Sequence, residues 1–185
     1  MVSIMKKFDW NFFDASYTYS FKAADEVTDN KSKDYFENYI TTYWKNVSDI
    51  HSTPDYCHCD LAAYLDNTNT LLTFELKKRN IPSTLYGDAI ILKKKYNYLT
   101  ESKDKLQAIY PDLKIRNILV TFYIDDVFGM WNINDYSSEG VIRMTATTEK
   151  TYGSKRMVEE LKLTYLFKDA LLKVSDKNIS KIYEK

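Results

Sequence analysis

Apolar and polar residues alternate along several short runs of this chain, and charge interrupts the alternation in one place. In Leu71-Leu-Thr-Phe-Glu-Leu-Lys77, Leu72, Phe74 and Leu76 share one face of a strand while Thr73, Glu75 and Lys77 share the other. In Asp60-Leu-Ala-Ala-Tyr-Leu-Asp66, Leu61, Ala63 and Leu65 share one face and Asp60, Ala62, Tyr64 and Asp66 the other. The polar stretch between the runs predicts a hairpin. Matching the apolar faces restricts its register, because a one-residue slip turns every side chain over. A two-residue loop at Asn67-Thr68 pairs Asp60 with Glu75. A four-residue loop from Asn67 to Thr70 pairs Asp60 with Lys77 and Ala62 with Glu75. Either register gathers Asp60, Glu75 and Lys77 on one face, with opposed Cβ atoms about 5 Å apart. Two carboxylates at that separation can share a divalent ion.

The same pattern predicts the other elements. Residues 1–30 are rich in aromatics (Phe8, Trp10, Phe12, Phe13, Tyr17, Tyr19, Phe21) and read as a segment packed back on the body. Tyr35, Tyr39, Thr42 or Tyr43, and Val47 recur near helical spacing and predict a helix over about 33–49, followed by a loop or short strand over 50–58. Ala89, Leu92, Tyr96 and Leu99 predict a second helix over about 88–106, with Asp88 as its N-cap. Ile115–Ile124 reads as a strand, Asp125-Asp126 as a turn, Val127–Ile133 as its hairpin partner, and Val141–Thr147 as a further strand. From Ser154 or Lys155 onward, Met157, Leu161, Tyr165 and the 166–172 stretch read as a helix, and the lysine-rich C-terminus as solvated. The order predicts an α/β fold with a mixed central β-sheet flanked by helices.

Composition narrows the class. With 185 residues, one domain with a real core is expected, its core over about 31–135 and residues 136–185 forming a C-terminal extension. The charges cancel (Lys+Arg 26, Asp+Glu 26), so attraction to nucleic acid has to come from local patches. Sixteen Tyr against four Gly and three Pro argue for ordered packing. Cys57 and Cys59 would lie nearly 7 Å apart on one face of a strand, which disfavours a disulfide and points to a reducing compartment. No run has the length and apolarity of a membrane span, and the N-terminus lacks a signal peptide's apolar core, so an intracellular soluble protein is expected.

Asp60, a hairpin turn, then Glu75-Leu76-Lys77 closing the second strand resembles the PD-(D/E)XK nuclease superfamily, the restriction-endonuclease-like fold. Cys59 stands where that family's first motif has proline. The continuation Lys78-Arg79-Asn80-Ile-Pro-Ser-Thr-Leu-Tyr86-Gly-Asp88, followed by Lys93-Lys94-Lys95-Tyr96, is similar to small phage-type members, and the resemblance spans roughly residues 31–135. It implies an αβββαβ core, with residues 50–58 as the first strand. It further implies that Asp60, Glu75 and the Leu76 carbonyl hold Mg²⁺, with Mn²⁺ as a substitute. The ion would lower the pKa of a coordinated water. Lys77 would orient or help deprotonate that water, or stabilise charge on the phosphate. An N-terminal helix would aim a glutamate at the metal: Glu37, with Asp34 second. Lys78, Arg79, Lys93, Lys94 and Lys95 would grip the phosphate backbone, and Tyr86 would approach the site from its loop. The resemblance thus implies a Mg²⁺-dependent nuclease acting on DNA ahead of RNA, in the cytoplasm of a bacterial or phage-infected cell. It leaves a homodimer open.

Other readings compete. Glu75 and Lys77 could form an exposed ion pair, which is ordinary and weak. Glu37 could be a plain helix-surface residue, the lysines a solvated helix face, and Tyr86 a packed aromatic. His51, Cys57, His58 and Cys59 invite zinc, although the spacing matches no common ligand pattern. The same atoms could build a cysteine nucleophile with a histidine base. The main alternative is a catalytically inactive nuclease fold that binds nucleic acid or a protein partner.

Overall fold

The structure is a computed structural model that describes residues 8–15, 26–54, 57–85, 88–135, 138–144 and 158–184. Its helices are α1 (Asn11–Ala15), α2 (Glu26–Tyr43) and α3 (Lys93–Ile109). Its strands are β1 (Asp49–Ser52), β2 (Leu61–Leu65), β3 (Thr70–Arg79), β4 (Asp88–Leu92), β5 (Lys114–Tyr123), β6 (Val127–Asn132), β7 (Ser138–Met144), β8 (Val158–Leu166) and β9 (Leu172–Ser175). Among the described residues, six strands form one sheet in the order β1-β2-β3-β5-β6-β9, and three form a smaller one in the order β4-β8-β7.

Strand β3 is the spine of the large sheet. Strand β2 pairs with it antiparallel from Leu61↔Phe74 to Leu65↔Thr70. Strand β5 pairs with it parallel from Thr70↔Lys114 to Arg79↔Tyr123. Parallel neighbours need a crossover, and the segment running through β4 and α3 supplies it. Helix α3 therefore lies across the sheet face that it bridges.

Both faces of the large sheet are buried, and each has its own core. On one, Phe36 and Ile40 of α2 pack with Leu61, Leu72, Phe74, Leu76, Ile118 and Val120. On the other, Leu99 and Leu106 of α3 pack with Ala62, Tyr64, Leu71 and Leu119. The small sheet joins this second core through Ala89, Ile91, Leu163 and Tyr165. Polar tips fasten it: Tyr123 Oη donates to the Asp88 carbonyl at 2.8 Å and Trp131 Nε1 to the Leu166 carbonyl at 3.0 Å. Phe8 and Phe13 belong to the same core, with Trp10 and Phe12 packed against it, as expected of the N-terminal aromatics; Tyr17, Tyr19 and Phe21 lie outside the described residues. The sequence α2-β1-β2-β3-α3-β5 has the expected αβββαβ order, with β4 inserted before α3. The fold is mixed α/β and restriction-endonuclease-like.

Several expectations need correction. Helix α2 spans 26–43, earlier than 33–49, and the chain beyond it forms β1, which pairs Asp49 with Tyr64. Residues 88–92 are strand β4 and not the first turns of a helix. Asp88 is therefore no N-cap; Leu92 takes that position without a side-chain cap bond. The predicted C-terminal helix is strand β8. Met157, Leu161 and Tyr165 recur every fourth residue, a spacing that keeps one face in a strand as well as in a helix. What decides for the strand is pairing on both sides, with β4 and β7. The C-terminus is not merely solvated: β9 closes the large sheet, and Ile179 and Ile182 of a short 3-10 turn are buried. The predicted 141–147 strand is β7 at 138–144; residues 145–157 lie outside the described set.

Candidate active site

The observed register decides between the two hairpins. The β2–β3 offset that pairs Leu61 with Phe74 sets Asp60 against Glu75, so the register pairing Asp60 with Lys77 is excluded. The turn is longer than a two-residue loop. Asp66–Thr68 make a 3-10 turn, and Asn69 closes it with φ at 49°. Asn69 tolerates this left-handed conformation better than most residues. It accepts a hydrogen bond from Tyr64 Oη at 2.8 Å and donates to the Asp112 carbonyl at 2.8 Å.

Asp60 precedes β2, where the strand pairing ends. Its backbone N–H donates to the Phe74 carbonyl at 2.8 Å, and its Oδ2 accepts the Leu76 N–H at 2.7 Å. The carboxylate thus takes the place of a strand partner for Leu76. In a strand the N–H and C=O of one residue point to the same side. The Leu76 carbonyl therefore faces the same gap as the Asp60 carboxylate.

Glu75 is 1% exposed, which is rare for a carboxylate without compensation. Two lysines supply it: Lys77 Nζ lies 2.6 Å from Oε1, and Lys95 Nζ, from the first turn of α3, lies 2.8 Å from Oε2. Burial works against the Glu75 charge, but Lys77 and Lys95 outweigh it and hold the carboxyl below its usual range. Burial likewise opposes the charge on Lys77 and Lys95, and Glu75 then Asp60 raise both ammoniums above the ordinary lysine value. Asp60 is pushed the other way, up to about 7, first by burial and then by the Glu75 charge. That like-charge effect is the signature of two carboxyls sharing one site.

The surrounding face is polar in a way the strand pattern did not reveal. Thr73 Oγ1 donates to Asn117 Oδ1 at 2.6 Å, and Asn117 Nδ2 donates to the Leu99 carbonyl of α3 at 2.9 Å. This strut ties β3 and β5 to α3 one turn beyond Lys95. Thr121, the register partner of Lys77, is buried with an unpartnered Oγ1. Lys33 of α2 is buried, its Nζ 3.4 Å from the Thr53 carbonyl, and Thr53 in turn donates its N–H to the Asp60 carbonyl. None of Lys33, Asn117 and Thr121 was singled out from the sequence. Polar residues with β-strand neighbours three elements away carry no local signal.

The predicted site residues divide. Asp60, Glu75, Leu76 and Lys77 come together, and Lys95 joins them at the centre, not as an outlying backbone contact. Glu37 does not join. Its helix packs Phe36 and Ile40 against the face opposite Glu75, and Asp34 is exposed on the same helix. Lys78 points to that opposite face too. Its ammonium sits 5.3 Å from the Tyr183 ring and 3.5 Å from the Ile182 carbonyl. Arg79 reaches the Ile90 carbonyl at 3.5 Å, bracing β3 against β4. Lys93 and Lys94 lie over the rings of Tyr96 and Tyr98, at 5.3 and 5.7 Å. Tyr86 lies outside the described residues.

The cysteines also differ from expectation. Residues 57–60 form a bend, not a strand. The Cys59 thiol hydrogen-bonds Cys57 and draws the Cys57 pKa down to about 6, whereas Cys59 is pushed up by the same bond and by burial. His51 stacks on Trp10 at 5.1 Å, while His58 is buried 5.6 Å from Tyr98, its pKa lowered to about 4 by burial. Among the described residues, no three of His, Cys, Asp and Glu gather into a metal cluster.

The donors at hand are two carboxylates and one backbone carbonyl, all hard oxygen. They suit Mg²⁺ or Mn²⁺, which accept few protein ligands and keep several waters. Mutual repulsion between Asp60 and Glu75 fits a cation between them.

No family model matches this chain, and no curated protein matches it. Among solved structures, Hjc from the archaeal hyperthermophile Archaeoglobus fulgidus, a Holliday junction resolvase, aligns with a TM-score of 0.43 and 10% identity. The alignment covers 84% of this chain and 99% of that one. The fold assignment rests on the strand order and register given above.

Proposed function

We propose that this protein is a metal-dependent nuclease that hydrolyses phosphodiester bonds of nucleic acid, DNA ahead of RNA. The observation that carries this reading is the convergence of Asp60, Glu75 and Lys77 on one sheet face, with the Leu76 N–H clamping Asp60. Asp60, Glu75 and the Leu76 carbonyl would hold the ion. When bound, a divalent ion supplies positive charge to the phosphate and makes a water a stronger nucleophile. The remaining work falls to the chain. Leu76 N–H fixes the Asp60 carboxylate, so that little reorganisation is needed when the ion arrives. Lys77, its side chain 43% exposed, can reach a phosphate oxygen at the mouth of the site and offset the charge that builds there. Lys93 and Lys94 open α3 next to Lys95, where a helix N-terminus favours anions.

The test is cleavage of linear, single-stranded and branched DNA, and of RNA, with Mg²⁺ or Mn²⁺. Wild-type protein should cut at least one substrate, and Asp60→Ala, Glu75→Ala and Lys77→Ala should remain folded and fail. Wild-type protein inert on every substrate with either ion would favour the inactive binding module.

A further inference from the structure

The four ionic side chains at the site carry no net negative charge. Even with Asp60 ionised, two carboxylates face two ammoniums, so a divalent cation would enter a site that is already neutral. One lysine has to give way. We propose that the Lys95 ammonium is the resident counter-ion of the metal site, neutralising Glu75 until a divalent ion binds and then moving to the substrate phosphate. The inference rests on the nuclease reading and deepens it.

Three observations single out Lys95. The first is bonding. Lys77 and Lys95 contact different oxygens of Glu75, Oε1 at 2.6 Å and Oε2 at 2.8 Å. The Lys95 contact is the longer of the two and comes from α3, so it can part without disturbing β3. The second is placement on the helix. Lys93, Lys94 and Lys95 open α3 with no acidic residue in the first turn and no side-chain cap. Cations at the positive end of a helix destabilise it, so this turn breaks a local rule. An incoming phosphate would relieve that cost, because a helix N-terminus presents N–H groups to anions. The third is anchoring. The Thr73–Asn117–Leu99 strut pins α3 one turn past Lys95, which leaves the flexible lysine stem as the moving part. Lys77 is the poorer candidate, since it rises from the same strand face as Glu75 and bonds Oε1 at 2.6 Å.

Calorimetric titration of the whole protein with Mn²⁺ tests this. Wild-type protein should bind, and Asp60→Asn and Glu75→Gln should weaken binding. Lys95→Met should tighten it about tenfold, equivalent to about 1.4 kcal/mol. It should also slow cleavage at saturating metal. If Lys95→Met melts before the titration, Lys95→Gln keeps the length and polarity without the charge and should tighten binding in the same sense. As a second readout, reductive methylation of Lys95 in the wild-type protein should speed up when Mg²⁺ is added. If Asp60→Asn weakens binding but neither Lys95 variant binds more tightly, the counter-ion role is wrong and the nuclease reading stands. If Asp60→Asn and Glu75→Gln bind Mn²⁺ like wild type, the metal site itself is misplaced and both fall.

Discussion

The two faces of the central sheet are built from the same strands and do different work. Successive residues of β3 alternate between them: Leu72, Phe74 and Leu76 go to α2, while Thr73, Glu75 and Lys77 go to α3. On the α2 side the contact is carbon against carbon. Phe36 alone stands edge-on to Phe74, Phe122 and Phe128 with ring centroids 5.1–6.1 Å apart. On the α3 side an apolar core is pierced by Asp60, Glu75, Lys77, Lys95, Asn117 and Thr121. Burying charge is costly, and replacing a buried ionic group by a hydrophobic one often stabilises. A face that keeps such a group is therefore the face on which to look for function.

The comparison breaks most sharply at Phe36. Phe36→Ala should lower stability by about 3–5 kcal/mol, the usual loss for a buried aromatic. Cleavage per folded molecule should be unchanged, as read by denaturant unfolding beside a specific-activity assay. Glu75→Gln should differ in kind. Activity per folded molecule should fall by about 10²–10⁴-fold, the range for losing a group that acts on the reacting centre, on top of a stability loss of about 3–5 kcal/mol, because Lys77 and Lys95 lose their buried counter-charge.

Asp60 sharpens the contrast through pH. Its carboxyl titrates near 7 when folded and near 3.9 in an unfolded chain, so between those values the folded state binds the extra proton. Stability should therefore fall as pH rises from about 4 to about 7, by at most about 1.4 kcal/mol per pH unit. Asp60→Asn should flatten that slope in a series of urea titrations. Glu75 acts in a different window. Its lowered pKa contributes stability above the ordinary carboxylate range that is lost on acidification below it. The raised lysines lose their contribution only as pH climbs past the ordinary lysine value.

The smallest effect is expected at the strut. Asn117→Leu leaves the Thr73 hydroxyl and the Leu99 carbonyl without their partner and should cost about 1–3 kcal/mol. It should also loosen α3, visible as faster amide exchange in its first turns and weaker metal binding. Unaltered exchange there would mean that packing of Leu99 and Leu106 alone holds the helix.

What the sequence showed depended on range. Period-two alternation needs only neighbours, so the hairpin, the shared face of Asp60, Glu75 and Lys77, and strands β5 and β6 could be read directly. Strand β4 could not, since Ala89 and Leu92 fit a helix as well, and only pairing with distant β8 settles the matter. The same holds for Tyr165, whose hydroxyl donates to the Ile133 carbonyl at 2.7 Å. Lys95 looked like one of three surface lysines. Its partnership with Glu75 becomes visible only once the crossover lays α3 over β3. Glu37 came from the family resemblance and not from a local pattern, and its helix packs Phe36 and Ile40 on the face opposite Glu75.

In the proposed nuclease, Asp60 and Glu75 share one divalent cation. Crystals grown with Mn²⁺ and measured at the manganese edge would locate it. An anomalous peak is expected between the Asp60 carboxylate, Glu75 Oε2 and the Leu76 carbonyl, with Lys95 turned away. Manganese absent from that gap at saturating concentration, with the Lys95–Glu75 pair still closed, would contradict it.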